Sequence, residues 1–200
     1  MNYIFIDPLA VMLIGLSMGT AIGAFYFFFA ARKEFDQIKA LVVPAIGVGL
    51  FDFISGFYMS FFWPMNAPYA YSYNMLFGDP LLMFGLLLLI AAFMGYREQE
   101  NVKPGIFPLM LSVLGIYVLD GGYSIWSLNL EPKFDNFVMA MGLFIFDGVG
   151  ALLGPILYLR PDTEAKKMIY YLEWIILGIG TVFALVLGYL ALNSHLASPP

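Results

Sequence analysis

The stretch Leu81-Leu82-Met83-Phe84-Gly85-Leu86-Leu87-Leu88-Leu89-Ile90-Ala91-Ala92 is apolar at every position, with neither a period-two alternation nor a polar stripe of period 3.6. A barrel strand would alternate and a surface helix would carry a polar face, so a run apolar on all sides reads as a helix enclosed by lipid or protein. Comparable runs recur along the chain. Charge and turn residues divide it into six spans, 8–31, 41–62, 80–95, 106–128, 137–159 and 168–192. Such lengths suit a hydrocarbon core about 30 Å thick, which takes roughly 20 residues of helix. The expected fold is therefore all-α, a bundle of six transmembrane helices forming one integral membrane domain over residues 1–200.

Composition agrees. Of 200 residues, 62% are apolar and 12% charged, and mean hydropathy is +0.85. Soluble domains carry about 25% charged residues, so a water-soluble globule is excluded, and six spans leave no room for an extramembrane catalytic domain. The first run opens on Asp7-Pro8 instead of a basic region and is followed by Arg32-Lys33, so it is read as a retained span and not as a cleavable signal peptide. Cysteine is absent, which removes disulfides, thiolate metal sites and cysteine nucleophiles.

Charge is segregated by sign. Arg32, Lys33, Lys39, Arg97, Lys103, Arg160, Lys166 and Lys167 fall in the first, third and fifth connections, leaving Lys133 alone on the other side. The positive-inside rule then places those connections in the cytoplasm and both termini outside, in a multi-pass protein of the plasma membrane. The external connections are short and aromatic, with Trp63, Tyr69, Tyr71 and Tyr73 in the second, suited to an interfacial belt or a lid. A net charge of −5 is spread over loop ends and spans, and no basic arm for nucleic acid exists. No phosphate-binding glycine loop of either common type occurs.

Asp7-Pro8-Leu9 opens span one and Asp79-Pro80-Leu81 opens span three, and each following span holds an aspartate five residues after a glycine: Gly47 with Asp52, Gly115 with Asp120. This reads as a parallel repeat of helical hairpins. Gly142 and Asp147 share the spacing on a span running the opposite way, but with 20 glycines in the chain that match is within reach of chance. Asp7 and Asp79, each before proline, read as helix N-caps.

Asp52, Asp120 and Asp147 carry the chemical content. At 1.5 Å rise per residue they lie about 15, 12 and 15 Å below the outer boundary, near the midplane of the bilayer. None of the six spans contains lysine, arginine or histidine. A charged carboxylate there is costly, which leaves protonation, a bound cation or a hydrated cavity. Tyr117, Asp120, Ser124 and Ser127 share one helical face, Asp52 shares another with Gly49, Ser55 and Gly56, and Asp147 a third with Gly150 and Gly154. Three such stripes facing one another would form a polar track, with Asp52, Asp120, Asp147, Tyr117, Ser124 and Ser55 as the ion- or substrate-binding candidates. Glu173, about 8 Å from the inner end of its span, is expected to snorkel or to meet Lys166 or Lys167.

No cofactor is expected. His195 is the only histidine and cannot alone build a transition-metal or haem site, while oxygen-only candidates suit protons or monovalent cations better. The run Phe62-Trp63-Pro64 followed by Ser72-Tyr73-Asn74-Met75-Leu76-Phe77-Gly78-Asp79, with the Asp7-Pro8-Leu9 start, resembles the family called domain of unknown function 981, small polytopic proteins of archaea and some bacteria. That resemblance implies a six-helix membrane architecture and assigns no activity or functional residue.

Three functions compete. A transporter or channel would bind a proton or cation at the midplane aspartates. A non-catalytic subunit or assembly factor of a larger membrane complex, or a homo-oligomer, would use glycine-rich helices and aromatic loops as contact surface. An intramembrane enzyme would pair Asp120 with Asp147 as acid and base, although the Gly-x-Gly-Asp string of intramembrane aspartyl proteases is missing.

Overall fold

The computed structural model describes residues 8–65, 71–96 and 104–197. They fold into helices α1 (Pro8–Arg32), α2 (Phe35–Ala40), α3 (Val42–Phe62), α4 (Tyr71–Tyr96), α5 (Phe107–Ser127), α6 (Phe134–Leu152) and α7 (Glu164–Ala197), with a 3-10 turn at Gly154–Tyr158 between the last two. Six of these, all but the short α2, are long and apolar enough to cross a membrane, and the described residues contain no strand. The protein is an all-α, six-helix membrane-spanning bundle. One end carries Arg32, Lys33, Arg160, Lys166 and Lys167 and is called the basic end; the other, with Trp63 and Glu131, is called the aromatic end.

Helix boundaries follow local chemistry. Pro44 and Pro108 stand in first turns, where a missing N–H costs nothing, and Pro155 opens the 3-10 turn. Helix α1 ends with Lys33 in the left-handed region, φ 58°, while the Lys33 and Glu34 amides donate to the carbonyls of Ala30 and Phe29. Those two bonds close a Schellman motif with lysine where glycine is usual.

Span three departs from expectation. Helix α4 starts at Tyr71, so Pro80 lies inside it and Asp79 is not an N-cap. Proline removes one helical donor, and a membrane helix tolerates that where neighbours restore the freed carbonyl. The start is held instead by Asn74, fully buried, whose Nδ2 donates to the carbonyls of Met65 (2.8 Å) and Tyr71 (3.2 Å) and whose Oδ1 accepts from the Met65 amide (3.1 Å). Tyr73 donates to Glu131 at 2.6 Å, joining two connections at the aromatic end, where Trp63 and Tyr71 are exposed. Asp7 and Tyr69 lie outside the described residues.

Packing relies on close backbone approach. Lipid is as apolar as leucine, so helices associate through fit, and small residues improve the fit. Helices α3 and α4 meet across Gly49 and Gly56 on one side and Gly78 and Gly85 on the other: a Cβ at Gly56 would strike the Leu82 backbone, and one at Gly85 the backbone of Asp52 and Phe53. Gly115 and Gly148 do the same between α5 and α6. The other extensive pair is α1 with α7, the first and last spans. Of the glycines five residues before the aspartates, Gly47 faces open space, Gly115 meets α6 and Gly142 meets Phe183 of α7, three unlike environments.

The core is asymmetric along the membrane normal. At the aromatic end one cluster draws on all six spans, including Met12, Met59, Leu81, Ile125, Phe144 and Ala184. Toward the basic end it divides into a cluster of Phe27, Ala31, Ile156 and Tyr170 and another of Ala45, Leu88 and Ala92, with Phe84 packed against both the latter and the aromatic-end cluster.

Candidate functional site

The buried carboxylates lie where the continuous core divides. Asp52, 0% exposed, is at the middle of α3 and turns its carboxylate toward α1. A Cβ at Gly15 would collide with Asp52 Oδ1, and one at Gly19 would collide with the Phe84 ring and lie 3.2 Å from Asp52 Oδ2. Only glycine leaves room for the acid between α3 and α1, and Phe84 closes its side. Asp147, near the middle of the span formed by α6 and the 3-10 turn, faces α7 in the same manner: a Cβ at Gly180 would collide with its Oδ1 and stand 2.9 Å from its Cγ. Between these acids, Thr20 of α1 and Thr181 of α7 share a hydrogen bond of 3.0 Å. Because Thr20 follows Gly19 and Thr181 follows Gly180, the order Asp52, α1, α7, Asp147 forms one transverse layer near the middle of the spans.

Glu173 joins this group from α7. It is 1% exposed, and a Cβ at Gly150 of α6 would lie 3.2 Å from its Oε1. Glu173 does not snorkel. The reason is that the nearby cations are taken: Lys166 bonds Asp162 at 2.7 Å, Lys167 bonds Glu164 at 2.7 Å, and Arg32 bonds Glu34 at 2.5 Å. The Lys166 hydrogen bond holds the exposed Asp162 carboxyl below its ordinary range. Tyr170, one turn before Glu173, donates to the Leu159 carbonyl at 2.7 Å.

Both oxygens of Asp52, Asp147 and Glu173 are buried and accept no hydrogen bond from any described residue; the one other buried side-chain atom in that condition is Ser60 Oγ. An ionised carboxylate so placed costs several kcal/mol even after relaxation. No described group of three or more Asp, Glu or His side chains is close enough to share a metal ion, in keeping with the separation of Asp52 from Asp147 by the α1–α7 pair. The arrangement suits groups that take and release a small cation one at a time.

The α5 candidates lie elsewhere. Tyr117 donates to Asp79 Oδ2 of α4 at 3.0 Å, and Asp120 is exposed on the bundle surface. Asp120 and Asp147 are not brought to one face, because Asp147 turns to α7. Ser124 is half-buried beside Asp120, and Ser55 donates to the Phe51 carbonyl of its own helix at 2.7 Å, away from the Asp52 carboxylate. The side chain of His195 lies outside the described residues. Thr20, Thr181, Phe84 and Glu173 were not among the candidates read from sequence, although the glycines opposite the acids were a usable signal.

No match is found among curated proteins or solved structures. A family model described as protein of unknown function (DUF981) matches residues 1–198. With that match covering nearly the whole chain, and a six-helix bundle as the family resemblance implied, the protein belongs to the DUF981 family.

Proposed function

We propose that the protein is a proton- or cation-linked transporter or channel of the plasma membrane, with its basic end in the cytoplasm and both termini outside. Asp52 and Asp147 are its midplane binding groups. The observation carrying this reading is that their four buried oxygens, together with those of Glu173, have no hydrogen-bond partner among the described residues. Intramembrane acids without a counter-ion are costly and typically mark an ion pathway. The dividing core supports it, because the two clusters at the basic end offer arms that part around a joined aromatic end. The test is ion-gradient-driven uptake in proteoliposomes carrying an internal pH dye, with sodium and potassium as alternative ions. Wild-type protein should dissipate a gradient, and Asp52→Asn and Asp147→Asn should each slow this at least tenfold, a barrier change of about 1.4 kcal/mol or more. Equal flux in wild type and the double variant would remove the proposal.

A second reading, a subunit of a larger assembly or a homo-oligomer, is favoured by Asp120, exposed among Ile116, Tyr117 and Tyr123 on the outward face of α5. A carboxylate facing lipid at mid-depth costs about 2.5–3.5 kcal/mol on insertion scales, and a neighbouring helix over α5 would relieve it. Under this reading Tyr117, Asp120 and Ser124 are interface residues. A monomer of unchanged mass in mild detergent and in native lipid discs would count against it.

A further inference from the structure

We propose that Glu173 is the entry relay of a proton-specific path along the α6–α7 seam, passing protons between the basic end and Asp147; this rests on the transport reading above. The route has four parts. A cavity of about 370 Å³ opens at the basic end, lined by Arg32, Lys33, Glu34, Glu164, Lys167 and Tyr171. Beyond it stands a plug in which Tyr170 meets Phe27 edge to face, ring centroids 5.4 Å apart, with Ile156 and Ala31 packed around them. Directly past the plug is Glu173, one turn further along α7, buried and without a hydrogen-bond partner among the described residues. Its carboxylate lies against Gly150, one turn beyond Asp147 on α6, while Asp147 lies against Gly180, seven residues beyond Glu173 on α7, so the two acids are offset along one seam by one to two helical turns, about 5–10 Å.

The walls select the proton. The surfaces next to these carboxylates include the backbone of Gly150 and Gly180 and the Leu177 side chain, and no side chain there offers a further oxygen to complete a metal shell among the described residues. Hard metal cations need six or more oxygens at fixed distance, whereas a proton needs one. The titratable groups of the packed elements toward the basic end are Asp147 of α6, Tyr26 and Arg32 of α1, Tyr158 of the 3-10 turn, and Glu164, Lys166, Lys167, Tyr170 and Tyr171 of α7 itself; Asp135 and Tyr189 stand toward the aromatic end. Tyr158 and Tyr170 donate to backbone carbonyls, and the three cations pair with Glu34, Asp162 and Glu164. Asp147 is the next carboxylate along the seam. In the step, a hydronium ion in the cavity gives its proton to a Glu173 oxygen and is left as water; the Glu173 O–H bond then breaks as an O–H bond forms on the ionised Asp147, and the Glu173 carboxylate is restored.

Infrared spectroscopy of reconstituted protein without any gradient tests this independently of flux. The carboxylic-acid carbonyl band lost in Asp147→Asn identifies Asp147, and its rate of hydrogen–deuterium exchange is the readout. Glu173→Gln should slow that exchange at least tenfold while leaving the Asp52 band unaffected, and Glu173→Asp should keep it within about threefold of wild type. Tyr170→Phe, which removes the plug's bond to Leu159, should speed it and serves if Glu173→Gln does not fold. An Asp147 band whose exchange ignores both Glu173→Gln and Tyr170→Phe overturns the relay, as does the lack of any band specific to Asp147. Normal exchange with no flux leaves the relay standing and rejects the transport function alone.

Discussion

Gly180→Ala isolates the contact between Asp147 and α7, and Gly178→Ala, two residues earlier on the same helix, is its control. A methyl at Gly178 meets nothing within 4 Å, whereas one at Gly180 lands on Asp147 Oδ1 and within 2.9 Å of its Cγ. Both changes gain the helix preference of alanine over glycine, about 1 kcal/mol, and this cancels in the comparison. What remains is overpacking of a filled seam, about 1–3 kcal/mol. At roughly 2–4 °C per kcal/mol for a chain of this size, Gly180→Ala should melt several degrees below Gly178→Ala in the same detergent. Relief requires Asp147 to move, so Gly180→Ala should also reduce ion uptake while Gly178→Ala leaves it intact. Identical melting and identical uptake in the two variants would refute the placement of Asp147 against Gly180.

Asp52→Asn replaces an orphaned carboxylate with a neutral group of the same shape, so its melting temperature should equal or exceed that of wild type by up to a few degrees even as uptake falls. A fall of more than about 10 °C, a loss of several kcal/mol, would make Asp52 structural instead. Asn74→Ala removes three hydrogen bonds at the start of α4 and should cost about 2–4 kcal/mol, with faster exchange of the Met65 amide; unchanged stability would show that α4 is anchored by other means.

The spans were legible because an unbroken apolar run such as Leu81 to Ala92 has one physical solution in lipid. The start of α4 was not, since Tyr71 to Asp79 is aromatic and polar and Pro80 resembles a first-turn residue; the signal that held the helix together, Asn74, acts through a contact across the connection. The candidate acids were legible as residue types, but their direction depended on angle. Asp52 lies within about 60° of Gly49 and Gly56 around α3, and Asp147 within about 60° of Gly150, so each shares the face on which helices approach. Asp120 is about 140° from Gly115, the glycine that meets α6, and so points away. The five-residue spacing that drew attention to all three acids thus places glycine and acid on different faces. Glu173 departs from the snorkelling expected of it because Asp162 and Glu164, both facing water, already hold Lys166 and Lys167.

The divided core also gives the molecule unequal stiffness in the two leaflets. With all six spans packed into one cluster at the aromatic end, that half has a fixed cross-section. Any parting of the arms at the basic end enlarges the area of one leaflet only, and work must be done against the lateral pressure of the lipids there. Under the transport reading the conformational balance is then tuned by lipid shape: small headgroups and splayed chains in the leaflet at the basic end resist opening, and single-chain lipids added to that leaflet favour it.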